Sequence, residues 1–420
     1  MRTLFLAAAL MLAAPTHAGD IFIDLGRGPV RVRIPSSYDP AVPMPVVMTI
    51  HGYSGTGAWQ EGYFGVTALA ESMGFIYVVP DGTVDLVSNQ FWNGTNACCD
   101  FYGTGVDDSS YLRALLEEID LQLAVDRRRV HLLGHSNGGF MAHRMACEHA
   151  DLIASIASLA GATWEDASVC TPSEPVHILQ IHGTSDGTVL FNGGHFGGQV
   201  YPSALGTVER WASKNGCDLI QDTSAPNINL DGGIPGQESS VTRWLSNCDL
   251  GGSAELWTIS GGGHIPNLSN PFIGHVIGYL LEHPKPGAGT NFCSASANST
   301  GAAAAIRGEG SNSISAADLV LAAESVPANQ NGLFYYGANE IVLPFGNGTR
   351  CVAAGGGSLY RLPIQTSDGA GRMALALQYT GNEAQLSAGT TWKFQAWFRD
   401  PGAGGSSFDL SDGLSIVFRP

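Results

Sequence analysis

The sequence predicts an α/β fold with a mainly parallel sheet, followed by an all-β, sandwich-like C-terminal domain. Three observations predict it. Up to about residue 285, short apolar runs alternate with stretches whose apolar residues recur at three- and four-residue spacing. The segment HPKPGAGT (283–290) breaks that rhythm with prolines and glycines, as an interdomain linker does. Beyond it, runs such as GRMALALQYT and TTWKFQAWFRD alternate apolar and polar residues in a glycine-rich context and read as strands. A chain of 420 residues also exceeds the usual single core. The predicted parts are a signal peptide (1–18), an α/β domain (19–284), a linker (285–292) and a β domain (293–420).

In chain order, Arg2, the run LFLAAALMLAA and the small-residue site Thr16-His17-Ala18 read as a secretory signal peptide, removed on export. The run is too short to span a bilayer, and no other segment approaches membrane length. IFIDLGRGPVRVRIP (21–35) is expected to be a hairpin turning at Gly26–Pro29. Strands are predicted at 46–52, 75–81, 129–135, 153–161, 176–183 and 255–264, with helices over 111–125, 139–153, 203–216 and 271–283. Past the linker, AADLVLAAESV fits a helix or a strand with a following turn.

The net charge of -17 falls mostly on the first part, where residues 1–290 carry 13 basic and 28 acidic side chains. Such a surface disfavours nucleic acid and other polyanions. Export to an oxidising compartment makes the eight cysteines disulfide candidates. The expected pairs are Cys217–Cys248 and Cys293–Cys351, with adjacent Cys98 and Cys99 reaching separately to Cys147 and Cys170, because a bridge between neighbours strains the backbone.

Gly134-His135-Ser136-Asn137-Gly138 lies between a predicted strand and a predicted helix. Gly-x-Ser-x-Gly in that setting is the nucleophile elbow of α/β-hydrolases. A serine hydroxyl needs a base, and in this fold the chain order is serine, acid, histidine, each in a loop after a later strand. Asp186 follows the strand ending at Gly183, and His264 follows Gly261-Gly262-Gly263, so Ser136, Asp186 and His264 are the candidate catalytic residues. The backbone N–H groups of Tyr53 and Asn137 are the candidate oxyanion donors. Trp92, Trp59 and Phe91 are the candidate substrate-binding aromatics, and Asp107 and Asp108 are read as helix caps. No spacing suits a metal.

His51-Gly52-Tyr53, Phe91-Trp92-Asn93 leading to Cys98-Cys99, the elbow, His182-Gly183-Thr184-Ser185-Asp186 and Gly261-Gly262-Gly263-His264 together resemble the secreted polyhydroxybutyrate depolymerase and feruloyl esterase group of α/β-hydrolases. The resemblance covers about residues 20–285. It implies an α/β-hydrolase fold and carboxylic-ester hydrolysis through an acyl-enzyme, with no metal or organic cofactor. Members often carry Pro soon after the acid and Thr-Trp-Pro after the histidine; Gly187-Thr188-Val189 and Ile265-Pro266-Asn267 stand here instead. The expected substrate is an ester, polymeric or polymer-linked: a feruloyl or acetyl group on polysaccharide, or a polyhydroxyalkanoate. The rival readings are a serine peptidase and a non-catalytic binding protein of the same shape.

Residues 291–420 are similar to C-terminal modules of secreted bacterial proteins in YYGANEIVLPFGNGTRCV and WKFQAWFRDPGAGGSSFDLSDGLSIVF. Tyr335, Tyr336, Trp392, Trp397 and Phe398 are expected to pack the strands or to form a platform for an insoluble polymer, and attachment to a cell surface is equally open.

Overall fold

The computed structural model describes residues 18–40, 42–315 and 317–419. The predicted signal peptide therefore lies, except for Ala18, outside the described residues. The chain forms two compact units that divide between Pro284 and Lys285.

The first unit is built on a nine-stranded sheet. Its strands are β1 (Gly19–Ile23), β2 (Val30–Ile34), β3 (Met44–Ile50), β4 (Ile76–Val79), β5 (Val125–His135), β6 (Ser155–Leu159), β7 (His177–Gly183), β8 (Ser239–Trp244) and β9 (Ser253–Ile259), in the order β1-β2-β4-β3-β5-β6-β7-β9-β8. The six strands from β4 to β9 in that order pair in parallel, while β1, β2 and β8 extend the edges antiparallel. Central strands β3, β4 and β6 are buried at every position, because helices cover both faces. Their apolar runs need no alternation for the same reason.

The helices are α1 (Gly57–Phe64), α2 (Val66–Met73), α3 (Asp108–Gln122), α4 (Asn137–Glu148), α5 (Ala204–Lys214) and α6 (Phe272–Glu282). Asp107 caps α3 by accepting from the Ser110 amide, and Ser203 caps α5 through Gly206. One apolar cluster, with Met48, Leu112 and Met141, lies under α3 and α4; another, with Val47, Phe64 and Ile277, lies under α1, α2 and α6.

The second unit contains β10 (Thr290–Phe292), β11 (Ala305–Glu309), β12 (Val320–Glu324), β13 (Asn331–Gly337), β14 (Asn339–Phe345), β15 (Gly348–Ala353), β16 (Tyr360–Arg361), β17 (Gln365–Thr366), β18 (Met373–Ala376), β19 (Thr391–Arg399) and β20 (Phe408–Val417). Strands β10-β20-β19-β13-β16 form one antiparallel sheet, to which β17 adds through β13, and β11-β12-β18 form a second. Ile306, Leu321 and Ala323 from the second sheet join Phe334, Phe394 and Ile416 from the first in one core, which makes a sandwich. The ambiguous run AADLVLAAESV supplies β12, a strand. The predicted linker needs correcting: Ala288 is buried in this core and Thr290–Phe292 pairs with β20, so most of 285–292 belongs to the β unit.

The cysteine pairing also needs one correction. Cys217–Cys248 and Cys293–Cys351 form as expected, but Cys98 pairs with Cys99 and Cys147 with Cys170. Cys98 and Cys99 are buried in a small cluster with Phe140, Val189 and Tyr201, whereas Cys147 and Cys170 sit in the main core with their Cα atoms 5.6 Å apart. The two pairs thus occupy separate packing environments.

Candidate active site

Ser136 is the turn between β5 and α4, with φ 55° and ψ -119°, a region a side chain enters only under strain. A Cβ added to Gly138 would lie 2.0 Å from the carbonyl oxygen of Ile50, so glycine alone lets the elbow close against β3. Asp186 follows β7 and His264 follows β9, which puts all three beyond the carboxyl ends of parallel strands, where open α/β sheets bind ligands. The Asp186 and His264 loops are fastened to each other. Thr184 N donates to Ile259 O, Ser185 N to Gly262 O, and Gly261 N to Thr184 Oγ1.

The three side chains meet. His264 Nε2 is 2.9 Å from Ser136 Oγ, and His264 Nδ1 is 2.8 Å from Asp186 Oδ2. Oδ1 of Asp186 accepts from the Thr188 and Val189 amides at 2.8 and 2.9 Å, so the carboxylate orders its own loop while it faces the imidazole. Burial pushes the Asp186 carboxyl up, but hydrogen bonds from His182 and His264 outweigh it and hold the group well below the usual carboxylate range.

A further set of buried polar groups stands behind Asp186. Trp211 Nε1 can only donate, and it does so to His143 Nδ1 at 3.0 Å. The proton of neutral His143 is therefore on Nε2, 3.0 Å from Gln180 Oε1. Gln180 Nε2 in turn donates to Gly161 O at 2.8 Å and faces His182 Nδ1 at 3.1 Å. This leaves His182 Nε2 as the donor to Val189 O at 2.8 Å and toward Asp186 Oδ2 at 3.3 Å. Burial pushes His143 down to about 4, which keeps it neutral. In the sequence His182 stands only within the motif His182-Gly183-Thr184-Ser185-Asp186, with no role of its own. The signal that marks the set is two polar residues, Gln180 and His182, two apart on one face of the strand HILQIHG.

His135, the residue before Ser136, holds His264 from the other side: its Nε2 donates to the backbone oxygen of His264 at 3.0 Å. Burial pushes it down to about 4, so it too is neutral. Its ring continues a ladder in which Trp59 stacks on Tyr63 at 5.3 Å and Tyr63 lies 5.5 Å from His135.

A cleft of about 550 Å³ opens above Ser136, lined among others by Tyr53, Trp59, Thr188, His264 and Ile265. Among the described residues, the amides of Tyr53 and Asn137 have no protein acceptor, which leaves both N–H groups available. His51 shapes the Tyr53 loop: its Nε2 accepts from Gly82 N, and its Nδ1 is 2.8 Å from Gly52 O. Of the three aromatics predicted to bind substrate, Trp59 reaches the cleft and is 46% exposed. Phe91 and Trp92 do not reach it. Both are fully buried, and the Trp92 backbone is clamped by the Asn137 side chain through its N–H and carbonyl at 2.7 and 2.8 Å. Asp108 is buried against Arg27 and the Asn93 amide, away from the cleft lining.

A family model described as the alpha/beta hydrolase fold matches residues 45–180. The first unit has the α/β-hydrolase fold. Feruloyl esterase B of Piromyces equi is 31% identical to this hydrolase-fold chain over 245 residues, 56% of this chain and 42% of the relative. Feruloyl esterase D of Neurospora crassa is 28% identical over 212 residues, 50% of this chain and 60% of the relative. The chain thus spans less than two thirds of the length of either. The solved acetyl xylan esterase from Aspergillus awamori aligns over 61% of this chain and 99% of its own, with 18% identity and a TM-score of 0.42.

Proposed function

We propose that the protein is an exported serine esterase that cleaves carboxylic esters carried by a polymer, through an acyl-enzyme on Ser136. The single observation that carries this reading is the continuous contact from Asp186 through His264 to Ser136, at 2.8 and 2.9 Å. In that arrangement His264 Nδ1–H donates to the carboxylate, so Nε2 is free to accept the serine proton as Oγ attacks the ester carbonyl. Asp186 remains ionised and stabilises the imidazolium. The N–H groups of Tyr53 and Asn137 hold the developing oxyanion, each contributing about 3 kcal/mol by analogy with measured donors. Collapse of the tetrahedral intermediate expels the alcohol, which takes its proton from His264. Water then attacks the acyl-enzyme with His264 again as base, releasing the acid and restoring Ser136.

Resemblance to feruloyl esterases supports an ester attached to polysaccharide, and Trp59 in the cleft wall suits an aromatic acyl group. The apolar N-terminal run and the paired cysteines support export. The deciding experiment compares methyl ferulate, acetylated xylan, polyhydroxybutyrate film and a peptide anilide. Turnover of at least one ester that Ser136→Ala abolishes supports the reading. Amide turnover without ester turnover overturns it.

A further inference from the structure

The six-stranded arrangement of the second unit has two differently used faces. Phe334, Tyr336, Phe394 and Phe398 point into the sandwich core, while Leu333, Tyr335 and Trp397 alternate with them on the other side. The aromatics expected to form one platform are therefore divided: Tyr336 and Phe398 are core, and Tyr335 and Trp397 are on the outer face. The β14–β15 hairpin folds over part of that outer face.

The hairpin is bolted at both ends. At its base, Cys351 is bonded to Cys293, its N–H donates to Gln395 Oε1 at 2.8 Å, and Gln395 Nε2 donates to Thr349 O at 2.8 Å. At its tip, Asn347 N donates to Phe408 O at 3.2 Å, and Asn347 Nδ2 donates to Gly404 O at 2.9 Å. Between the two anchors a cleft of about 420 Å³ stays open, walled chiefly by Tyr335, Phe345, Trp397 and Phe408 with Arg350 and Arg361. That volume is in the range of small-molecule sites.

The walls select the ligand. The Phe408 ring lies 5.3 Å from Phe345 at 55° and 5.4 Å from Trp397 at 37°, a box of tilted rings and not the level surface on which a sugar chain stacks. No carboxylate lines the cleft among the described residues, although the whole chain carries 37 acidic side chains and only 20 lysines and arginines. Arg361 sits directly across from Tyr335 in the ladder, is exposed, and has no ion-pair partner among the described residues. Arg350 spends its Nε on the carbonyl of Val352, leaving the outer nitrogens of its guanidinium. Two unpaired guanidiniums at an apolar box call for an anion, and their planar forks fit a carboxylate.

We propose that this cleft binds a planar aromatic carboxylate, its ring between Trp397, Phe345 and Phe408 and its carboxylate on Arg350 and Arg361. The site is independent of the Ser136 chemistry.

The test is calorimetric titration of the full chain with sodium cinnamate. Binding should weaken by about tenfold or more in Arg361→Gln and in Arg350→Gln, and by less in Arg361→Lys, which keeps the charge and loses the fork. Methyl cinnamate and cyclohexanecarboxylate should bind about tenfold more weakly, for want of charge and of a flat ring respectively. The unfolding midpoint of each variant identifies one that has lost its fold, and Arg361→Lys then carries the comparison. The proposal falls if cinnamate does not bind, if both glutamine variants bind it like the parent, if methyl cinnamate binds equally well, or if oligogalacturonate binds more tightly than cinnamate. Hydrolysis of p-nitrophenyl acetate reports on the esterase reading separately.

Discussion

His182 Nε2 stands 3.3 Å from Asp186 Oδ2, and the direction of that contact is set by the indole N–H of Trp211, acting through His143 and Gln180. Each member can hold only one role once the first is fixed, because a tryptophan never accepts. Gln180→Glu keeps the shape but removes the donor facing His182 Nδ1. The His182 proton then moves to Nδ1 and is withdrawn from Asp186. The expected result is a fall in kcat of about tenfold with KM nearly unchanged, since the lost hydrogen bond to a charged group is worth about 1.5–3 kcal/mol. Steady-state kinetics on p-nitrophenyl acetate checks it.

Acid should destabilise the fold in two stages. Burial pushes His131 down to about 3 and His135 and His143 down to about 4, below their unfolded value of about 6.5. Between these limits the unfolded chain takes up protons that the native state refuses, so stability is full above about pH 6.5 and is lost on acidification, by about 1.4 kcal/mol per pH unit for each histidine. Asp186 is shifted the same way, and its contribution is lost only below about pH 4. Calorimetric unfolding between pH 7.5 and 4.5 should show the first stage, and His131→Asn should flatten its slope.

Gly138→Ala tests the elbow. The added Cβ would meet the Ile50 carbonyl at 2.0 Å, a backbone atom in a central strand that cannot yield cheaply. The variant is expected to lose about 3 kcal/mol or more, and with it the Ser136 geometry. Urea unfolding and active-site titration measure the two effects.

Trp59→Ala tests the cleft wall. With half of its surface already in solvent, its removal should lower stability little. It should reduce kcat/KM for methyl ferulate about three- to tenfold more than for p-nitrophenyl acetate, because only the aromatic acyl group loses a ring contact.

The meeting of Ser136, Asp186 and His264 was legible because each follows a strand whose apolar run is plain in the sequence, and the glycines around 136 and before 264 mark the sharp turns. The parallel sheet was legible for the same reason. Helices α1 and α2 were not, since the chain there is short-paced and broken by Gly65, which closes one helix and precedes the next. Nor was the fate of the aromatics. Trp59 and Trp92 look alike in a string of letters, and only the packing of α4 across the Trp92 backbone decides that one is buried and the other bounds a cleft. The cysteines failed on a local rule. The strain expected of a bridge between neighbours favoured remote partners for Cys98 and Cys99, while the fold places Cys147 and Cys170 beside each other in another layer.

Thr188 and Ile265 border the cleft only two and one positions after Asp186 and His264. Any insertion that reshapes this rim must therefore drag Asp186 or His264 with it. Past the Tyr53 amide, the opposite bank from Ser54 to Trp59 bears none of the three side chains, and its α1 end is pinned by the side chain of Asp81 at the Gly57 amide. A change of diet in descendants of this chain, or in a library bred from it, has room to accumulate on that bank.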